Sequence, residues 1–163
     1  MEEEKLGLYY FTILDHWKLF CEYHSTLFDL TCIEYEALLK SDIDHLEKIL
    51  LEKEAIVKSV DELEKSRQKI IEEINTCLTP ENKINNVGDL ISLMNNYENK
   101  SGQNILGRMN KLLINIIETI GLQNKKNQIF LNKAIHNLSV IKKDVKGVKT
   151  FYTYDDKGVS NNG

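Results

Sequence analysis

Cys21 and His24 stand three residues apart, the spacing that sets two metal ligands on one face of a helix. A tetrahedral zinc site requires four ligands, or three and a water, and no second Cys-x-x-His or Cys-x-x-Cys supplies them. The other histidines, His16, His45 and His136, are scattered, and a small residue beside a half-buried imidazole accounts for the pair. There is no glycine-rich phosphate loop, no nucleophile elbow and no His-Glu-x-x-His. The carboxylates fall mostly between apolar positions, on the wet faces of helices. Cys21, Cys32 and Cys77 form an odd set without paired spacing, which suits buried thiols in a reducing compartment better than a disulfide framework. The chain therefore reads as a binding protein without catalytic, cofactor or metal residues. A metal- or redox-responsive helical protein using Cys21, His24 and Cys32 is the chemical alternative.

The elements that carry these residues are helices. From Phe28 to Cys77, alternating steps of four and three give an almost unbroken apolar series: Phe28, Cys32, Tyr35, Leu39, Asp42, Leu46, Ile49, Lys53, Ile56, Val60, Leu63, Arg67, Ile70, Ile74, Cys77. That period is the seam of a helix packed lengthwise against others. As a single rod the stretch would span roughly 75 Å. Asp42, Lys53 and Arg67 interrupt the seam. The last two, two heptads apart, either lay their stems along it with the charge in water, or set register or meet acidic groups on a partner.

An earlier seam, Leu6, Tyr10, Ile13, Trp17, Phe20 and His24, joins the first through a stutter of four-residue steps. The first helix is thus expected from about Glu3 to Leu39. Lys40 to Asp44 reads as a soft kink, with Ser41 and Asp44 shaped like a capping box. The second helix then runs to about Leu78, where Thr79-Pro80 ends it. Asn82 to Asp89 reads as a loop, Asp89 to Tyr97 as a short amphipathic helix, and Asn99 to Gly102 as a turn. A last long helix starts near Gln103, with Gly121 inside it and Asn124 and Asn127 breaking its seam. Gly147 signals its end. The expected fold is all-α: an elongated antiparallel bundle or coiled coil of three long helices plus one short helix. Residues 1–147 form the bundle domain, and residues 148–163 a flexible tail bearing Phe151, Tyr152 and Tyr154. Those aromatics either fold back onto the bundle or await a partner.

Composition narrows the partners. Of 163 residues, 42% are hydrophobic, enough for one core, and the net charge of −4 is mild and mixed in sign. No basic stripe with interleaved aromatics points to nucleic acid. The apolar runs fall far short of the ~20 residues of a membrane span. Met1-Glu2-Glu3-Glu4-Lys5 has no signal-peptide character, so the cytoplasm is expected.

Three blocks in order resemble the FlgN family of flagellar export chaperones. The first is Glu36-Ala37-Leu38-Leu39 with Asp42 and Leu46, followed by Glu52-Lys53-Glu54 and Leu63-Glu64-Lys65-Ser66-Arg67. The second is the Asn124-x-x-Asn127 pair followed by the apolar helix from Phe130 to Ile135. The third is Tyr154-Asp155-Asp156-Lys157-Gly158, similar to the family's Tyr-x-x-x-Gly tail. The resemblance covers roughly residues 33 to 158. It implies a cytoplasmic type III export chaperone that binds hook–filament junction proteins through their amphipathic C-terminal helices. Such a chaperone prevents their premature assembly and delivers them to the flagellar export gate. By this analogy Leu131, Ile135, Leu138 and Ile141 would line the cargo groove and Tyr154 would contact the gate. Asn124, Asn127 and Gly158 are the matched motif positions. A homodimer of the unloaded chain is compatible with this reading. The alternative is a structural or tethering coiled coil that self-associates through the same seams.

Overall fold

The computed structural model describes residues 3–98 and 103–160, with side chains over residues 4–98 and 103–145. Four α-helices follow one another: α1 Glu3–Lys40, α2 Ile43–Thr76, α3 Val87–Glu98 and α4 Ile105–Ser160, with a 3₁₀ turn at Pro80–Asn82. Among the described residues there is no strand. The chain is all-α, with three long helices and one short one as the periodicity predicts.

The seam from Phe28 to Cys77 is not one rod. Lys40 ends α1, and α2 returns antiparallel beside it, bringing Lys53 to Glu34, Ser66 to His16 and Glu73 to Tyr9. The expected soft kink is a full reversal, and the cause is local. Ser41 adopts φ 54°, in the left-handed region. Its N–H donates to Leu38 O at 3.2 Å and that of Asp42 to Ala37 O at 3.0 Å. These are the paired bonds of a Schellman C-cap. Asp42 then opens α2 by accepting the His45 N–H at 3.0 Å. The cap is therefore Asp42, one residue later than the Ser41 box expected from sequence. Phase continuity across Asp42 reflects two helices sharing one interface, not one helix continuing.

Residues Met1–Asn124 make one compact unit and Lys125–Gly163 a second. The core of the first unit gathers Tyr10, Ile13 and Trp17 of α1, Ile74 of α2, Ile84 of the connection before α3, Leu90 and Met94 of α3, and Leu106 of α4. Burying such side chains is worth roughly 1.5–3 kcal/mol each. A smaller cluster, Leu30, Ala37 and Ile49, closes α1 on α2 near the reversal. Asn75 fixes the chain beyond Pro80. Its amide donates to Ile84 O at 3.0 Å and accepts from Ile84 N at 2.8 Å. Asn86 and Asp89 then cap α3 reciprocally: Asp89 N–H donates to Asn86 Oδ1 at 2.9 Å, and Asn86 N–H to Asp89 Oδ2 at 3.2 Å.

Over residues 105–124, α4 runs parallel to α1 and antiparallel to α2. Trp17 Nε1 donates to Asn110 Oδ1 at 3.2 Å near its start, and Lys53 donates to Asn124 Oδ1 at 3.5 Å. Among the described residues, the second unit is the continuation of α4. Its helix passes through Gly147 to Ser160, beyond the end expected from the sequence. An isolated glycine costs only about 1 kcal/mol in a helix, and no proline follows to stop the propagation. The boundary expected at Gly147 lies inside this unit.

Candidate partner-binding site

The polar interruptions of the seams resolve into internal partners. Lys53 pairs with Glu34, both side chains mostly buried between α1 and α2. Arg67 makes a two-pronged contact with Glu64, its Nε donating to Oε2 at 2.7 Å, while its guanidinium stands 5.9 Å from the centre of the Trp17 ring. That hydrogen bond holds the Glu64 carboxyl below its usual pKa. Both cations thus meet acids of this same chain, which neither the water-facing nor the partner-facing reading anticipated.

The chemistry-bearing residues are likewise absorbed by the fold. His24 Nδ1 meets Phe20 O at 2.7 Å, and His16 bridges Thr12 O and Ser66 Oγ. The Cys21 thiol lies against Met109 O at 3.7 Å, and burial pushes its pKa up. Cys77 is shifted down by a hydrogen bond with Thr76 and by Lys5, whose ammonium lies 3.4 Å from the sulfur. All three cysteines are free, and no metal-type cluster of three or more His, Cys, Asp or Glu occurs among the described residues.

Apolar surface is where the molecule offers something to a partner. In the second unit Leu131, Ile135, Leu138, Ile141 and Val145 recur at helical spacing, and all are exposed, from 37% at Leu131 to 66% at Leu138. Five large aliphatic side chains on one helical face make a stripe about four turns long, ~21 Å. An isolated exposed leucine is ordinary, whereas a contiguous stripe marks an interaction surface. Four of the five are the residues expected to line a cargo groove, and they do share one face.

The other expected residues divide. Asn124 is exposed and accepts from Lys53, while Asn127 is buried. The two do not act as one exposed pair. At Tyr154 and Gly158 the backbone is helical, and the Tyr154 side chain lies outside the described ones.

Sequence reasoning missed a second apolar feature. A pocket of about 270 Å³ opens between α2 and α4, floored by Trp17, Phe20 and His24 of α1. Val60, Glu64 and Arg67 form one wall and Asn110, Leu113 and Ile117 the other. Val87, the first residue of α3, borders it at one end. Beyond Val87, α3 no longer fills the space between α2 and α4. The signal lay in the lengths: α3 has 12 residues against 34 in α2.

With this geometry in view, comparison with known proteins is decisive for the family. The family described as FlgN protein matches residues 20–161, most of the chain. The chain belongs to the FlgN family. No curated protein and no solved structure matches it. A FlgN protein is a flagellar type III export chaperone, a binder of export substrates and a component of flagellar assembly. Among the described residues of this FlgN chain, no helix is long and apolar enough to cross a membrane.

Proposed function

We propose that this protein chaperones hook–filament junction proteins in the cytoplasm, shielding their terminal amphipathic helices from premature association and delivering them to the flagellar export gate. The observation that carries the reading is the exposed stripe Leu131, Ile135, Leu138 and Ile141. A cargo helix separated from its filament neighbours has an apolar face to cover. A helix-to-helix contact through residues at i, i+3, i+4 and i+7 covers it without any catalytic group.

Residues 148–163 form the recognition tail in this proposal, with Tyr154 as the gate contact and Gly158 in the same motif. Residues 1–147 carry the cargo. Asn124 and Asn127 serve the helix that presents the stripe, Asn124 through its bond from Lys53.

Calorimetric titration with the C-terminal segment of a junction protein tests the reading. Saturable binding with a negative heat-capacity change, the mark of apolar burial, is expected. Absence of heat and of co-migration, with a stable oligomer in solution, would favour a self-associating tethering protein instead.

A further inference from the structure

The apolar face of the second unit holds one cation that the chain leaves unanswered. From Leu131, steps of four and three run through Ile135 and Leu138 to Lys142 and Val145, with Ile141 alongside. Lys142 therefore stands in the row itself, one turn from Leu138 on one side and one turn from Val145 on the other. It is exposed and has no ion pair among the described residues. The two cations in equivalent seam positions of α2 are both answered. Lys53 meets Glu34 across the α1–α2 interface, and Arg67 meets Glu64 one turn back on its own helix. Lys142 has neither partner. The residues one turn away on α4 are Leu138, Ser139, Val145 and Lys146, none of them acidic, and Asp144, two residues on, belongs to a different face. The surrounding charge is of one sign: from Lys125 to Lys149 the sequence has seven lysines against that one aspartate. A second copy of this face brings the same lysine and no acid in its row, so it does not answer Lys142 either. Any helix laid here covers Lys142, and covering a lone cation is costly unless an opposite charge meets it.

We propose that the Leu131–Val145 face receives an amphipathic helix with a glutamate or aspartate inside its own apolar row, placed to meet Lys142 as Glu34 meets Lys53. The proposal rests on the cargo reading of this face and adds the chemistry of the helix it takes. Leu131, Ile135 and Leu138 supply the apolar contact. Lys142 selects the register in which that contact forms, because a slip of one turn covers both charges without pairing them. Charge matching supplies orientation and discrimination between helices, and apolar burial supplies the affinity. A helix with leucine throughout its row, or with a cation opposite Lys142, is rejected by the uncompensated charge it would cover.

The test uses the full chain and two designed helical peptides that differ at a single position. Both have leucine along the apolar row, and the centre of the row is glutamate in one and lysine in the other. In calorimetric titration wild type is expected to bind the glutamate peptide about tenfold more tightly than the lysine peptide. Lys142→Glu should reverse that preference. Lys143→Glu makes the same change of charge one residue along, off the row, and should leave the preference in place. Both positions are exposed, so helicity by circular dichroism should be unchanged. The same preference in wild type and Lys142→Glu would overturn the proposal, as would no binding of either peptide. Reversal by Lys143→Glu as well would reduce the effect to general basic attraction and overturn it too. Binding to phosphatidylglycerol vesicles without any preference between the peptides would assign the face to a membrane surface instead. The junction-protein segment is titrated beside the peptides. Its failure to bind while the peptide preference holds would count against the junction protein as cargo, not against the acid-bearing helix. Its binding to Lys142→Glu as tightly as to wild type would keep the cargo and remove the charge-matched register.

Discussion

The Tyr10 hydroxyl donates to Glu98 Oε1 at 2.9 Å, joining the first turns of α1 to the last residue of α3 across 88 positions of sequence. Glu98 is buried, and its carboxylate also accepts the backbone N–H groups of Ile105 at 2.7 Å and Leu106 at 3.2 Å. Those N–H groups have no partner within their own helix, and the start of a helix favours a negative charge. One side chain therefore pins α1, α3 and α4 together at the base of the bundle.

Replacing Glu98 with alanine leaves a buried hydroxyl and two helix N–H groups unsatisfied. The expected loss is about 3 kcal/mol in urea unfolding, against about 1 kcal/mol for Tyr10→Phe, which keeps the carboxylate and both backbone bonds. Equal losses would mean that Glu98 does not cap α4.

The same contact sets an alkaline limit. Burial first, and then the neighbouring Glu98 carboxylate, push the Tyr10 hydroxyl from 10.0 up to about 12. The folded state keeps its proton where the unfolded chain has lost it. Stability from this group is complete below pH 10 and lost as pH rises towards 12. Across that window the urea midpoint of wild type should fall more steeply than that of Tyr10→Phe.

Ser41 makes the reversal between α1 and α2 at φ 54°, a conformation that costs an L-residue roughly 1–2 kcal/mol and glycine almost nothing. Ser41→Gly is expected to raise stability by about 1 kcal/mol and Ser41→Val to lower it. Asp42→Ala removes the cap on His45 N and should cost about 1 kcal/mol. All three are read from denaturant midpoints.

Acid acts at the opposite end of the scale, on Glu64. The Arg67 hydrogen bond lowers its pKa from 4.5, so its contribution is present above pH 4.5 and is lost as pH falls through the lowered value. Arg67→Met removes the cation while retaining bulk over Trp17. The acid-side decline of its stability should be shallower than in wild type.

Helix type was legible because the apolar period of 3.5 is independent of what the helix packs on; the end of α4 was not, since the helix runs past Gly147 to Ser160. Pro80, by contrast, marked the end of α2 within two residues, since a missing N–H acts locally. The reversal at Ser41 was not legible. Serine rarely adopts the left-handed conformation, and the seam keeps its phase whether the chain continues or folds back on itself. Glu98 gave no sign either: a lone glutamate at a helix end resembles any solvated one until Tyr10 arrives from far away in sequence. The stripe on α4 was visible as a period, but exposure distinguishes a docking face from a core face, and exposure is a tertiary property. The α2–α4 groove depends on where α3 stops, which no single segment records.

That distinction gives the stripe its sharpest test. Leu138 and Ile141 are 66% and 58% exposed, so an aspartate at either position removes little packing and strands no charge. Thermal stability of Leu138→Asp and Ile141→Asp should stay within about 0.5 kcal/mol of wild type. Ile120, on the same helix but 7% exposed, is the control: Ile120→Asp buries an unpaired carboxylate and should unfold the bundle. If the stripe holds a junction-protein helix, its central residues are the contact's anchors. Each aspartate should then weaken calorimetric binding by roughly thirtyfold or more, the loss typical of a central apolar contact. Stable variants that bind as tightly as wild type would move the cargo site off this face. Variants that lose stability together with binding would mean the face is packed in the free protein.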